Sequence, residues 1–152
     1  MAISAVLFSP FAILSGVLPI LPRMRFIGWW AHFITFWLRV TCKIHHKVQG
    51  LEHLTTSPAV ILSKHQSAWE TIAFQVIFPP QTWALKRAAL WTPFFGWGLA
   101  ATRPIAINRA TRIRALDQLL EQGGERLAEG RWVVIFPEGT RVAPGVRGRY
   151  SP

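Results

Sequence analysis

The sequence predicts an α/β fold in which an N-terminal membrane-associated helical hairpin, residues 1–42, precedes a mostly parallel sheet flanked by helices, residues 43–152. Two observations predict it. Residues 1–22 contain no charged side chain. Further along the chain, short apolar runs alternate with helical segments, which is typical of parallel sheets. The length of 152 residues suits one domain.

The N-terminal segment indicates a hairpin rather than a single membrane helix. Residues 1–22 could supply the roughly 20 apolar positions of a spanning helix, but Pro10, Pro19 and Pro22 argue against a straight one. Residues 26–38 form a second apolar run that is short for a crossing. We therefore expect a hairpin that enters one leaflet; the alternative is a buried hairpin of a soluble protein. An aromatic belt is expected at Trp29, Trp30 and Trp37. Five cations are expected at the headgroups: Arg23, Arg25, Arg39, Lys43 and Lys47.

The composition favours an anionic partner. The net charge is +10, from 17 basic and 7 acidic residues, and such an excess attracts either a polyanion or an anionic membrane surface. The apolar start and the absence of a nucleic-acid-binding motif favour membrane lipid, so no nucleic-acid partner is expected. Cys42 is the single cysteine, which excludes an intrachain disulfide and fits a cytoplasmic location.

Strands and helices are predicted in alternation. Continuous apolar runs of strand length indicate buried strands at 59–63, 82–86, 104–107 and 132–136, and a shorter strand is expected at 47–49. Helices are predicted at 67–78, at 88–101 as two short pieces, and at 111–128. The last of these places Ile113, Leu116, Leu120 and Leu127 on one face, and Gly130 is placed to end it.

A histidine and a carboxylate stand at the first predicted strand-to-helix turn. His65 follows the strand at 59–63, and Glu70 opens the next helix. A neutral imidazole there could take a proton from an attacking alcohol, and a carboxylate could fix its tautomer. The two side chains can meet only if His65 lies in the turn and Glu70 in the first helical turn. Ser67 and Glu70 also form an S-x-x-E capping box, a role of Glu70 that could replace pairing with His65 or coexist with it. The alternative for His65 is an ordinary loop histidine.

The segment 136–141, Phe-Pro-Glu-Gly-Thr-Arg, follows the last predicted strand. Proline ends the strand, Gly139 allows a close turn past a ligand, and Arg141 can bind phosphate with two hydrogen bonds. Lys86 and Arg109 follow two other strands, and cations at strand ends suggest a phosphate or coenzyme site. The alternatives are an ordinary turn with a solvated Glu/Arg pair and solvated surface cations. Cys42 with His45 and His46 resembles a metal cluster only loosely, so no metal is expected.

With these motifs in place, the chain resembles the lysophosphatidate acyltransferases of the glycerolipid acyltransferase family. The family's histidine, four residues and aspartate correspond to His65 and Glu70, with glutamate replacing aspartate. Its second block resembles 93–98 through Arg109, and its third matches 136–141 without change. Its fourth block, a later apolar strand with proline, has no counterpart, and residues 142–152 are a Gly-, Arg- and Pro-rich loop. We therefore expect a truncated gene product.

The resemblance implies transfer of a fatty acyl group from acyl-CoA or acyl carrier protein to the sn-2 hydroxyl of lysophosphatidate, which gives phosphatidate. It implies that His65 is the general base and Glu70 its orienting acid. Residues implied to bind the substrate are Lys86, Arg109, Glu138, Gly139, Thr140 and Arg141, with the arginines on its phosphate and Glu138 with Gly139 shaping the acceptor pocket. No cofactor is implied beyond the thioester co-substrate.

The implied setting is the cytoplasmic face of a bacterial-type inner membrane, with anionic lipid as a partner. Two alternatives stay open. The acceptor could be glycerol-3-phosphate or another lysolipid, because the acceptor pocket cannot be recognised from the sequence. The chain could also be an inactive basic membrane-binding fragment, since the fourth block is missing.

Overall fold

A four-stranded parallel sheet forms the centre of the computed structural model, which describes residues 2–108 and 112–150. The strands are β1 (Val60–Leu62), β2 (Gln81–Lys86), β3 (Ile105–Ile107) and β4 (Trp132–Ile135). Their order is β1-β4-β2-β3, and every neighbouring pair is parallel. The predicted α/β class and the four main strands are confirmed.

Strand β4, the last in sequence and an inner strand of the sheet, has the most buried residues of the four strands. Val133 and Val134 are buried and pair with β1 on one side and β2 on the other. Ile105 of β3 is fully buried as well. A strand that is covered on both faces reads as a continuous apolar run, which is why β4 was recognisable from its sequence.

Five α-helices and three short 3₁₀ segments connect or precede the strands within the described residues. The helices are α1 (Ala2–Leu14), α2 (Ile20–Cys42), α3 (Trp69–Ile77), α4 (Phe95–Ala100) and α5 (Arg112–Ala128). The 3₁₀ segments are Ser15–Val17, Leu51–His53 and Arg87–Trp91. The two short pieces predicted at 88–101 are thus a 3₁₀ segment and α4. Gly130 ends α5 as predicted, with φ +84° and its N–H donated to the carbonyl of Leu127.

The strand predicted at 47–49 is wrong, because residues 43–50 have no regular structure. Lys47, Val48 and Gln49 are exposed, and no strand of the described sheet pairs with them. A three-residue segment without a hydrogen-bonding neighbour lacks the cross-strand contacts that stabilise a strand.

Helix α5 is present where predicted, but its inner face differs from the predicted apolar one. Leu120 is 65% exposed and Leu116 is 48% exposed, although Leu116 also lines a cavity inside the molecule and Leu127 is half-buried. The side chain of Ile113 lies outside the described part. Glutamines face the sheet instead: Gln122 Oε1 accepts the N–H of Ala106 at 3.0 Å, and a second bond is donated by Asn108 N–H to Gln118 Oε1 at 2.9 Å. The helix lies along the open edge of β3, whose backbone groups need polar partners.

Helices α1 and α2 form the N-terminal hairpin, which packs onto the α/β part. Helix α1 lies against α4, so closely that a Cβ on Gly98 would stand 3.0 Å from Cβ of Ser9. Helix α2 lies against α3, where Ala31, Ile34 and Ile72 form a buried cluster. The expected break between the two apolar runs falls at 15–19, and α2 continues through Arg25.

Two residues of the predicted hairpin have contacts that the sequence did not indicate. The guanidinium of Arg23 donates to the carbonyls of Gly16, Leu18 and Ala101, and its expected place at the headgroups stays a prediction. These bonds fasten the turn of the hairpin to the end of α4. Of the three tryptophans of the expected belt, Trp29 and Trp37 are exposed, whereas Trp30 is half-buried and packs against the buried cluster.

The outer surface of the hairpin is apolar. On α1 and α2 the exposed large apolar side chains include Ile3, Leu7, Phe11, Leu14, Trp29, Phe33, Phe36, Trp37 and Val40. Among the described residues, no helix has both the length and the apolar character needed to cross a bilayer. Membrane association of the hairpin stays a prediction.

Candidate active site

The histidine motif and the 136–141 segment meet because β1 and β4 are neighbours in the sheet. His65 lies just beyond the carboxyl end of β1, and Phe136 lies just beyond that of β4. Backbone bonds join the two loops: Ser63 N–H donates to Ile135 O at 3.0 Å, and Val142 N–H donates to His65 O at 2.8 Å. Carboxyl ends of parallel strands are where sites form in such folds.

His65 is held by a carboxylate and an aromatic ring. Its Nδ1 lies 2.7 Å from Oε1 of Glu70, and its ring stacks on Phe136 with centroids 4.2 Å apart and an angle of 19° between planes. An ionised carboxylate can only accept a hydrogen bond. Nδ1 of the neutral imidazole therefore carries the proton, which leaves Nε2 as the basic nitrogen.

Glu70 is a strong acceptor because several donors converge on it. Its Oε1 also accepts the N–H groups of Gln66 at 2.6 Å and Ser67 at 2.8 Å, and its Oε2 accepts the Ser67 hydroxyl. Burial alone would raise the pKa of this carboxyl. The bonds from the Ser67 hydroxyl and from the backbone outweigh burial and lower its pKa to about 2. Glu70 is thus ionised at every physiological pH.

The same carboxylate takes part in the hydrogen bonds at the start of α3. Glu70 accepts the N–H of Ser67, as in a capping box, but Ser67 Oγ accepts the N–H of Trp69 at 3.0 Å rather than that of Glu70. The predicted alternatives, capping and pairing with His65, therefore coexist. The extra methylene of glutamate does not prevent the 2.7 Å contact with His65.

Residues 136–139 form a tight turn at the end of β4. The N–H of Gly139 donates to the carbonyl of Phe136 at 2.9 Å, and Gly139 has φ +64°, a conformation that favours glycine. Thr140 and Arg141 follow it and are exposed. Arg141 forms no ion pair with a carboxylate in the described ranges. The turn thus leaves a cationic side chain without a carboxylate partner in the described ranges, one residue before Val142, whose N–H binds the carbonyl of His65.

Glu138 does not pair with Arg141, so the expected alternative of a solvated Glu/Arg pair is wrong. Its side chain is only 4% exposed and lies 3.4 Å from the ammonium of Lys64. Its Oε1 also accepts the N–H of Gly148 at 3.0 Å. Glu138 is absent from the lining of the neighbouring cavity.

A largely apolar cavity of about 1210 Å³ extends from this turn into the molecule. His65, Gly139 and Arg141 lie in its wall, and the rest is supplied by residues of all five helices, of β2, β3 and β4 and of the adjoining loops, most of them apolar. Its lining includes Phe8, Ile27, Ile72, Leu99, Leu116 and Leu119. A mostly apolar cleft with a few convergent polar groups is typical of a small-molecule site.

Two predicted cations are not placed in this site. Lys86 is the last residue of β2 and its side chain is exposed. It does not line the cavity, although its neighbour Leu85 does. Arg109 lies outside the described residues.

Two residues near the turn were not predicted from the sequence. These are Lys64, whose partner Glu138 is distant in the chain, and Gly148, and no local pattern distinguishes either residue. In the described part, no group of three or more His, Cys, Asp or Glu could hold a metal.

Comparisons with known proteins agree with the resemblance found in the motifs. A family model described as Acyltransferase matches residues 45–150. The 1-acyl-sn-glycerol-3-phosphate acyltransferase of Pseudomonas aeruginosa is 47% identical over 139 residues, which cover 91% of this chain and 54% of that protein. The Saccharomyces cerevisiae protein of the same name is 34% identical over 97 residues, 62% of this chain and 32% of its own length.

A third relative, from Helicobacter pylori and again of that name, is 34% identical over 91 residues, 59% of this chain and 38% of that protein. The chain therefore spans about half the length of the Pseudomonas aeruginosa relative and less of the other two. No solved structure matches the chain.

Proposed function

Because this chain belongs to the acyltransferase family, we propose that the protein moves a fatty acyl group from acyl-CoA or acyl carrier protein to the sn-2 hydroxyl of 1-acyl-glycerol-3-phosphate, making phosphatidate. The observation that carries the proposal is the His65–Glu70 pair at an apolar cavity with Arg141 in its wall. The names of the relatives, 1-acyl-sn-glycerol-3-phosphate acyltransferases, support the choice of acceptor.

The proposed reaction uses His65 as general base. Nε2 takes the proton of the acceptor hydroxyl while the hydroxyl oxygen attacks the thioester carbonyl carbon. The tetrahedral intermediate then collapses, the carbon–sulfur bond breaks, and the imidazolium returns its proton to the leaving thiolate. The buried negative charge of Glu70 stabilises the imidazolium and keeps Nδ1 protonated. Base action of this kind is worth typically about 10²–10⁴-fold in rate.

The phosphate of the acceptor is proposed to bind at the turn after β4. Arg141 can offer two parallel N–H donors, and the open backbone around Gly139 and Thr140 allows close approach. Arg109 is a proposed second phosphate ligand, and Lys86 stays a candidate at the same sheet edge. The acyl chain is proposed to occupy the apolar cavity, because burying its methylenes there removes them from water.

An acceptor panel tests this proposal. Membranes carrying the protein would receive labelled palmitoyl-CoA or palmitoyl-acyl carrier protein with lysophosphatidate, glycerol-3-phosphate or lysophosphatidylcholine. We expect phosphatidate to form from lysophosphatidate. Preference for glycerol-3-phosphate would change the acceptor but keep the acyl-transfer chemistry. No transfer to any acceptor, together with vesicle binding, would favour the alternative of a non-catalytic basic membrane-binding module.

Attachment to the cytoplasmic face of an inner membrane is the second part of the proposal. The exposed face of α1 bears Ile3, Leu7 and Phe11 at one-turn spacing, and a continuous apolar face of this kind suits an interfacial helix. The charge of +10 adds attraction to anionic lipid.

Vesicle flotation tests the attachment with a matched control. Leu7→Glu places a charge on the α1 face, whereas Leu120→Glu places one at a comparably exposed apolar position on α5. We expect Leu7→Glu to weaken binding to vesicles that contain phosphatidylglycerol and Leu120→Glu to leave it unchanged. Equal effects of the two substitutions would contradict a hairpin-specific attachment.

A further inference from the structure

We propose that Glu138 is a positioning residue, and that with Lys64 it forms a seat that holds residues 142–148 beside His65 and so presents Arg141 to the acceptor phosphate. This inference rests on the proposed function. It departs from the expectation, drawn from the resemblance, that Glu138 shapes the acceptor pocket.

The carboxylate of Glu138 has no surface to offer an acceptor. Its Oε1 is occupied by the Lys64 ammonium at 3.4 Å and by the N–H of Gly148 at 3.0 Å. Its Oε2 is buried, without a hydrogen-bond partner in the described part of the chain. A ligand in the cavity cannot reach a carboxylate that is enclosed in this way.

Three attachments hold the segment that follows Arg141. Gly148 donates its N–H to Glu138, and the ammonium of Lys64 donates to the carbonyl of Val146. The N–H of Val142 donates to the carbonyl of His65 at 2.8 Å. Lys64 and His65 are adjacent in the chain, so the seat and the proposed base share one short loop. Displacement of the seat would therefore move Arg141 relative to His65.

The seat has room only for glycine at position 148. A Cβ built on Gly148 would stand 2.9 Å from Oε1 of Glu138 and 2.8 Å from Cγ2 of Val142. Both distances are shorter than real Cβ contacts, so a side chain at this position must displace the carboxylate or the segment. Gly148→Ala thus disturbs the seat without changing any charge.

The charge arrangement explains why the pairing matters. Glu138 and Arg141 are three positions apart in the chain, and an ion pair between them would neutralise the cation that the phosphate needs. Since the carboxylate of Glu138 pairs with Lys64 instead, Arg141 has no carboxylate partner within the described ranges and forms part of the cavity wall. The ion pair of the seat therefore keeps the phosphate ligand available.

Steady-state kinetics with Gly148→Ala and Lys64→Met test the proposal. We expect each variant to raise the KM for lysophosphatidate by about tenfold, as loss of a hydrogen bond to a charged group does, with kcat and the KM for the acyl donor nearly unchanged. Lys64→Arg keeps the charge and should restore most of the wild-type KM. Tyr150→Ala, which alters an exposed side chain near the same segment, is the matched control and should have no effect.

Limited trypsin digestion supplies a readout that does not depend on activity. Release of the segment should speed cleavage after Arg147 and Arg149 in Gly148→Ala and Lys64→Met but not in Tyr150→Ala. Unchanged cleavage and unchanged acceptor KM in both variants would overturn the proposal. So would loss of kcat in Glu138→Gln with wild-type kinetics in Gly148→Ala and Lys64→Met, because Glu138 would then act on the substrate directly. If wild-type protein shows no transfer, digestion still tests the seat and only the proposed function fails.

Discussion

Replacement of Glu70 by glutamine should destabilise the protein near neutral pH, and the effect should fade in acid. The substitution keeps the shape of the side chain and an oxygen that can accept the N–H groups of Gln66 and Ser67. It removes the negative charge that four donors, including His65, converge on. The free energy of unfolding therefore reports how strongly the fold favours the ionised form.

The magnitude follows from the pKa. The carboxyl has a pKa of about 2 in the fold against an ordinary value of 4.5, and this lowering corresponds to about 3 kcal/mol at 1.36 kcal/mol per unit. Water at the cavity mouth screens the charge, so we expect about 2 kcal/mol to be observed. Because the folded pKa is the lower one, this stabilisation is complete above pH 4.5 and is lost as pH falls towards 2.

The assay is denaturant unfolding of both proteins in detergent, followed by tryptophan fluorescence from pH 6 to pH 3. We expect the free energy of unfolding of the wild-type protein to exceed that of Glu70→Gln by about 2 kcal/mol at pH 6. At pH 3 the difference should be less than half of that. A difference that stays constant across this range would refute the inference that Glu70 is a strongly acidic, multiply bonded carboxylate.

Three further substitutions test other parts of the structure. Gly124→Ala, at an exposed helical position where a Cβ meets no atom within 4 Å, should raise the free energy of unfolding by about 0.5–1 kcal/mol, as measured by denaturation. Arg131→Lys should lower it by about 2–3 kcal/mol, because a buried guanidinium that bonds to Thr102 and Glu129 is not replaced by an ammonium. Phe136→Ala should lower kcat by roughly tenfold through loss of the ring stacked under His65, and an unchanged kcat would contradict that positioning role.

Local features of the molecule were predictable from sequence. The apolar runs gave the four main strands, since burial on both faces of a parallel sheet requires continuous apolar residues. The contact between His65 and Glu70 was also foreseeable, because the two residues are close in the chain and a capping box fixes the turn between them. Gly130 ends α5 for an equally local reason, its positive φ.

Features that depend on distant parts of the chain were not predictable. The outward position of Leu120 follows from the open edge of β3, where Gln118 and Gln122 are needed as polar partners. Sequence periodicity counts apolar residues and does not register such a requirement. In the same way, Glu138 lies in a motif that favoured ligand contact, but its partner Lys64 is 74 positions away and reaches it only because β1 and β4 are neighbours.

The central claim is that His65 acts as the general base of acyl transfer. Its most direct test is the formation of labelled phosphatidate from palmitoyl-CoA and lysophosphatidate by membranes that carry either the wild-type protein or His65→Ala at equal amounts. We predict that the substitution lowers the rate by about 10²–10⁴-fold while vesicle binding is retained. Phosphatidate formation at the wild-type rate by His65→Ala would contradict the account.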